Sequence, residues 1–432
     1  MIVGAGISGA IVADQLAEKG HDVLILETGV KKDFSFESYR DYLHTFYKNT
    51  VKIPNSTYPQ NPNAPQPLVT DVGNIEDGIQ QFNEGSYFKQ YGPAPFQSTY
   101  TRAKGGTTLH WLGTCLRMLP TDFKEQDLFG IGKNWPINYY DLMPYYRKAE
   151  LEIGVSADVE EQAYLGVSFE EDYVFPMTKI PQSHLDKKLT EWTKNAVFEY
   201  KNETYEYNVV STPQGRNSNP NPKYNNGEGY QPVGAVGNPD LGQRCEGNSA
   251  CVPICPVQAK YNALKTLQKA VNKGVVINAQ CVASEIQYDD KTGEVTGIKY
   301  KEYEDFDALQ SDENCTYVEK TVKAKRYVLA AHAVENAKLM LASGFKNKNI
   351  GQNLMDHPVL LTWGLAPEKI GAFRGPGSTS GIPSLRDGIF RKDRSAFRVE
   401  IGNFKIVIVI PTVAPNYAIT QYVIFPCYFF SI

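Results

Sequence analysis

The chain opens on Met1-Ile-Val-Gly-Ala-Gly-Ile-Ser-Gly-Ala10 and then reaches a second apolar run, Asp22-Val-Leu-Ile-Leu-Glu27, that ends in a carboxylate. A short apolar run, three glycines at 4, 6 and 9, a helical apolar pattern through Val12, Leu16 and Ala17, and a second apolar run make a βαβ unit with a dinucleotide fingerprint. Each glycine has its own reason. Gly4 permits the tight strand-to-helix turn, Gly6 lets backbone approach a pyrophosphate with no Cβ between, and Gly9 lets the helix lie close on the strand. A pyrophosphate then rests on the helix N-terminus, where unpaired N–H groups and the helix dipole favour an anion. Glu27, eighteen residues beyond Gly9, stands where a carboxylate accepts from an adenosine ribose.

With 432 residues the chain is long enough for two domains or three, and 42% apolar and 21% charged residues suit a globular protein. A net charge of −4 with no concentrated basic patch argues against a nucleic-acid partner. No charged segment followed by an apolar core precedes the first strand, so no export signal is visible.

Further along, 55–71 is rich in Pro and Asn and reads as a surface loop or lid. A second glycine loop, Thr101-Arg-Ala-Lys-Gly-Gly-Thr-Thr-Leu-His-Trp111, follows. Asn138 is placed to cap a helix whose apolar face runs through Leu142, Tyr145, Tyr146 and Ala149. From Ala259 the βαβ rhythm resumes. A helix passes through Leu264, Leu267 and Val271, a strand is expected over Val275–Ala283, a hairpin turns at Asp289–Gly293, and Tyr327–Ala331 is a buried strand before a helix over Val334–Ala342. The fold expected is therefore α/β, a Rossmann-like domain over 1–150 and 245–360 interrupted by an α+β substrate-binding domain over 151–244 and 361–403, with an atypical apolar tail at 404–432.

Cys245, Cys251 and Cys255, the last followed by Pro256, are the most distinctive cluster. Closely spaced thiolates ending in Cys-Pro resemble iron–sulfur ligation. Zinc is the competing metal, although it wants four ligands and no fourth Cys or His lies near. Three cysteines without metal, free or disulfide-bonded, are the plainest reading.

The fingerprint, the Gly105-Gly106 loop, the Cys281-Val282 strand, Tyr327–Asn336 and Asn353-Leu-Met-Asp-His-Pro358 occur in an order that resembles the glucose-methanol-choline (GMC) family of flavin oxidoreductases. Within it the chain looks most like the catalytic subunits of FAD-dependent glucose, gluconate and fructose dehydrogenases, over about the first 400 residues. The resemblance implies that Gly4, Gly6 and Gly9 hold the FAD pyrophosphate and Glu27 the ribose. It implies further that Val282 meets the adenine end, that Gly105, Gly106 and Thr107 line the flavin and pyrophosphate, and that Asn353, Asp356 and His357 lie along the far side. His110 matches a position that carries the flavin covalently in pyranose oxidase, and a neutral hydrogen-bonded histidine is the other reading. Cys245, Cys251 and Cys255 match ligands of a 3Fe-4S cluster.

What the family does is oxidise a CH–OH group by hydride transfer to flavin while a C-terminal histidine takes the hydroxyl proton. Here the last histidine is His357, no catalytic residue is assigned, and neither His332 nor His184 is promoted to base. By resemblance the substrate is a sugar or polyol and electrons leave through the cluster to a redox partner. Oxygen as acceptor, or a catalytically silent FAD-binding fragment, are the alternatives. A small export-bearing subunit and a cytochrome c subunit are implied partners, which places the chain in the cytoplasm, or in the periplasm or at a membrane through a partner. The uncharged tail reads first as a chain cut short and continued through unrelated sequence, second as a core strand, third as a membrane anchor.

Overall fold

The computed structural model describes residues 1–47, 101–232, 254–304, 316–354 and 376–403, with the shorter stretches 75–76, 79–80, 234–237, 244–245, 359–368, 370 and 422–430. The chain divides into two compact units, one of Met1–Trp111, Val233–Leu241 and Val252–Leu354, the other of Leu112–Pro232, Gly242–Cys251 and Met355–Ile432. The first break thus falls after Trp111, where the sequence pattern placed it near 150.

The first unit is built on parallel strands. β1 (Ile2–Val3), α1 (Ile7–Glu18) and β2 (Leu24–Leu26) form the opening βαβ, α2 (Ala263–Asn272) leads into β3 (Val276–Asn278), and β7 (Val328–Leu329) precedes α3 (Ala333–Ala342). The sheet runs β7-β1-β2-β3 with every pairing parallel. Side chains alternate across it as a two-residue period requires. Ile2 and Ile25 go to one face with Ala10 and Ala13 of α1 and Leu264, Leu267 and Ala270 of α2. Val3 and Leu26 go to the other, with Leu339 of α3, Ile286 and Ile298. Both faces are covered, which is why these strands read as unbroken apolar runs.

One sequence expectation is corrected here. Val275–Ala283 is not one strand: β3 ends at Asn278, Gln280 takes φ +57, and β4 (Cys281–Tyr288) starts in a different sheet, antiparallel to β5 (Val295–Tyr303), which pairs with β6 (Tyr317–Val322). The apolar residues on either side, Val275–Ile277 and Cys281–Ala283, hide a left-handed break of this kind, because polar Asn278 and Gln280 also fit the alternation of a single strand. The hairpin turn is where the sequence put it, with Asp289 Oδ1 accepting from Lys291 N–H at 2.9 Å and Thr292 N–H at 2.8 Å.

The second unit carries an antiparallel sheet in the spatial order Val359–Leu365, Tyr422–Phe430, Ala396–Gly402, Ser378–Ile382, Val210–Ser211. The segment Tyr422–Phe430 is therefore a strand paired on both sides, the second of the three readings of the tail. Asn138 caps the helix Tyr139–Ile153 as expected, in a reciprocal capping box with Asp141. The lid segment 55–71 lies outside the described residues, and among the described residues no helix is long and apolar enough to cross a membrane.

Candidate functional site: a dinucleotide cavity

The parallel strands β7, β1 and β2 end in Ala330–His332, Gly4–Gly6 and Glu27, and these three ends wall a cavity of about 300 Å³. A crevice outside the carboxyl ends of parallel strands is where such sheets bind ligands, because loops there are free to diverge and helix N-termini point in. α1 begins at Ile7 behind Gly6, whose lack of a side chain leaves the first N–H groups without a cap, and Ile7 and Ser8 line the cavity.

The glycines separate by job. Gly4 has φ +99, and a Cβ there would lie 2.6 Å from Ala330 O; a Cβ on Gly9 would run into the Gly4 carbonyl oxygen. Both serve the packing of β1, α1 and β7. At Gly6 a Cβ meets nothing within 4 Å, so the fold places no demand on it. Gly6 lines the cavity, and across from it Gly106 comes so near that a Cβ on Gly106 would sit 3.2 Å from Gly6 Cα. The space a side chain would fill is cavity, not protein.

Glu27 is 5% exposed, accepting at Oε2 from Ala5 N–H and at Oε1 from Gly29 N–H, both at 2.7 Å. Burial pushes its carboxyl pKa up, against the backbone donors of Gly29 and Ala5 and the charge of Lys104. A carboxylate has about four acceptor positions, so two such bonds leave lone pairs for ligand hydroxyls. Lys104 is itself buried, which lowers its pKa to about 8 despite Asp33 and Glu27.

The other predicted residues are distributed unevenly. Gly106, Thr107 and Val282 line the cavity; Gly105 (φ +96) turns the chain behind it, against Leu264. His110 is 4% exposed with Nε2 at 2.8 Å from Thr101 Oγ1, the geometry of a hydrogen-bonded core histidine, and the cavity lining does not include it. Asn353 is exposed, at φ +62. Asp356, His357 and Cys251 lie outside the described residues. Cys245 belongs to the second unit, its N–H donating to Asn217 O at 2.9 Å. Cys255 belongs to the first and is 5% exposed; Tyr39 donates its hydroxyl to Cys255 O at 2.6 Å. Beside Cys255 is Lys265, 3% exposed, its Nζ donating to Gln258 O at 2.7 Å.

Sequence reasoning missed part of the wall. Arg102, Glu335, Lys338 and His332 line it, with Arg102 Nη2 on Glu335 Oε1 at 2.7 Å. The signal for Arg102 was its place three residues before Gly105; the pairing with Glu335, 233 residues away, has no local signature.

Residues 226–359 match the GMC oxidoreductase family model, and 2–48 match an NAD(P)-binding Rossmann-like domain. Residues 226–359 thus match a GMC oxidoreductase domain, and a Rossmann-like dinucleotide-binding segment precedes them. It is 29% identical over 415 residues to the fructose dehydrogenase large subunit of Gluconobacter japonicus, covering 93% of this chain and 66% of that relative. To a long-chain-alcohol oxidase of Arabidopsis thaliana it is 48% identical over 61 residues, 14% of this chain and 8% of that one. The pyridoxine 4-oxidase structure from Mesorbium loti shares the fold, with a TM-score of 0.52 at 15% identity over 99% of this chain and 70% of that one. The chain thus spans just under two thirds of the fructose dehydrogenase subunit's length and far less of the alcohol oxidase's.

The family's cofactor is FAD, and the residues present fit it: glycine faces the cavity where the fold does not require glycine, α1 offers N–H groups there, and Glu27 keeps acceptor capacity. Gly4, Gly6 and Glu27 would hold the pyrophosphate and ribose, and Val282 the adenine end.

Proposed function

We propose that this chain is the FAD-binding catalytic part of a dehydrogenase that oxidises a CH–OH group of a sugar or polyol. The observation that carries the reading is the pair of glycine backbones, Gly6 and Gly106, facing one cavity at the carboxyl ends of parallel strands. The 415-residue match to a fructose dehydrogenase subunit supports the substrate class. Bound there, FAD supplies the two-electron acceptor for the substrate hydride, the hydroxyl proton leaves to a base, and the product is a carbonyl. This chain's own part is to fix the dinucleotide through Gly4, Gly6, Glu27, Gly106, Thr107 and Val282, with Gly9 seating α1 close on β1. His110, held on Thr101, is read as a neutral hydrogen-bonded histidine near the flavin and not as its covalent carrier, and the base is left unassigned.

Cys245, Cys251 and Cys255 are proposed as ligands of a 3Fe-4S cluster, which would release electrons singly to a redox partner such as a cytochrome c subunit. What supports this is the short spacing of the three cysteines and the Cys255-Pro256 step, as in iron–sulfur ligation. A small export-bearing subunit is part of the same proposal.

The test is flavin, iron and acid-labile sulfide per chain, on protein purified without oxygen, followed by addition of fructose, glucose and polyols. One flavin, about three irons and bleaching of the flavin by a sugar are expected. Flavin without iron, with peroxide formed on turnover, would favour an oxidase of the kind represented by the long-chain-alcohol oxidase match. Flavin that no sugar or alcohol reduces would leave an FAD-binding fragment and no enzyme.

A further inference from the structure

His332 closes β7 and opens α3, and its backbone stands at φ +103, ψ 152. That region is close to a glycine-only conformation, because in an L-residue the Cβ crowds the neighbouring peptide. A glycine would adopt it without strain, yet the position carries an imidazole, half-buried, on the cavity wall beside Ala331 and Glu335. The ring is also fixed. Its Nδ1 accepts from Val334 N–H at 3.3 Å, capping α3, which in the neutral ring leaves the proton on Nε2. Burial lowers the His332 pKa against the attraction of Glu335, which favours the neutral ring.

A strained backbone, a fixed tautomer and a place on the wall coincide at one residue. We propose that His332 is a positioning residue of the dinucleotide cavity, its imidazole forming part of the surface that the bound cofactor's polar groups meet. The proposal rests on the FAD reading above and assigns His332 no part in proton transfer from substrate. The surrounding structure imposes this strained backbone at His332, in the manner of residues at ligand clamps.

Two substitutions separate binding from folding. His332→Asn keeps a side-chain acceptor for Val334 N–H and tolerates positive φ better than most residues. His332→Gly removes the ring and the strain together. FAD affinity is measured by flavin fluorescence on cofactor-stripped full-length protein, with the melting temperature of the stripped protein as control. The expected result is a rise in the FAD dissociation constant of roughly fivefold or more in both variants, with the melting temperature of His332→Asn unchanged to within a few degrees. Dissociation constants within twofold of the unsubstituted protein would overturn the role of His332 while leaving the FAD reading intact. Failure of the unsubstituted protein to bind FAD would overturn both.

Discussion

Around its cavity the first unit presents bare backbone, whereas the second unit buries ion pairs. In the first, Gly6 and Gly106 face each other and Glu27 holds two backbone N–H groups. In the second, Arg117 lies 5% exposed, bound through two nitrogens to Glu150 at 2.7 Å each and stacked 4.3 Å from the Phe169 ring centroid. Arg391 is likewise buried among Asp122 at 3.0 Å, Asp387 at 3.4 Å and Glu125. The difference concerns where polar groups find partners. The buried charges of Arg117 and Arg391 are matched within the second unit and serve its fold, while the donors at the start of α1 and the spare lone pairs of Glu27 open onto the cavity. Polar capacity that the fold leaves unused marks a site; satisfied polar networks mark a scaffold.

The largest effect that would sharpen this contrast comes from the scaffold. Arg391→Ala strands Asp122 and Glu125 as buried, unpaired carboxylates, which costs about 3–5 kcal/mol. Denaturant unfolding should register that loss while FAD affinity at saturating folded protein stays within twofold. Loss of FAD affinity in the folded variant would break the separation of roles.

A smaller effect belongs to the wall itself. Glu27→Gln replaces two acceptor oxygens by one and sets an amide NH₂ against either Ala5 or Gly29 N–H, an unpaired buried donor worth about 1–3 kcal/mol. FAD affinity should fall along with stability here, unlike at Arg391. Isothermal titration of the stripped variant with FAD checks it, and an affinity equal to the unsubstituted protein's would remove Glu27 from the site.

What was legible from sequence divides by range along the chain and not by unit. The opening βαβ, the caps at Asn138 and the Asp289 turn were readable because each is a local pattern: glycine spacing, a capping residue three positions before its partner, an Asp before a glycine turn. Gly6 and Glu27 were readable for the same reason. The break at Gln280 was not, since a polar residue at φ +57 looks in sequence like the polar position of an alternating strand. Nor was the Arg391 cluster, whose partners Asp122 and Glu125 lie more than 260 residues away. Arg102 and Glu335 at the cavity are a similar long-range pair. His332 looked like any polar residue at the end of a strand; only its φ of +103 sets it apart, and dihedral angles are not written in a sequence.

The smallest effect expected is a slope with pH. Folded Lys104 releases its proton near pH 8 because it is buried, whereas the unfolded chain holds that proton to the ordinary lysine value of 10.5. Between these values the unfolded state carries more protons, so this residue makes stability rise with pH; below pH 8 both states are protonated and it contributes no slope. Urea midpoints measured from pH 7.5 to 10 should rise less in Lys104→Met than in the unsubstituted protein. Identical slopes would mean that Lys104 is not desolvated beside Glu27.

The central claim, that the fold leaves room for a dinucleotide where it does not itself need glycine, is tested most directly at Gly6. Gly6→Ala places a methyl group in the cavity and against no protein atom within 4 Å, while Gly9→Ala drives one into the Gly4 carbonyl. The measurement is FAD bound per folded chain, with the melting temperature of the stripped protein, for both variants and the unsubstituted chain. Gly6→Ala should melt as the unsubstituted protein does and bind FAD at least tenfold more weakly, on the order of 1.4 kcal/mol or more, whereas Gly9→Ala should lose stability and FAD together. A Gly6→Ala protein that binds FAD as tightly as the unsubstituted chain would contradict the account, because the space opposite Gly106 would then not be where the cofactor lies.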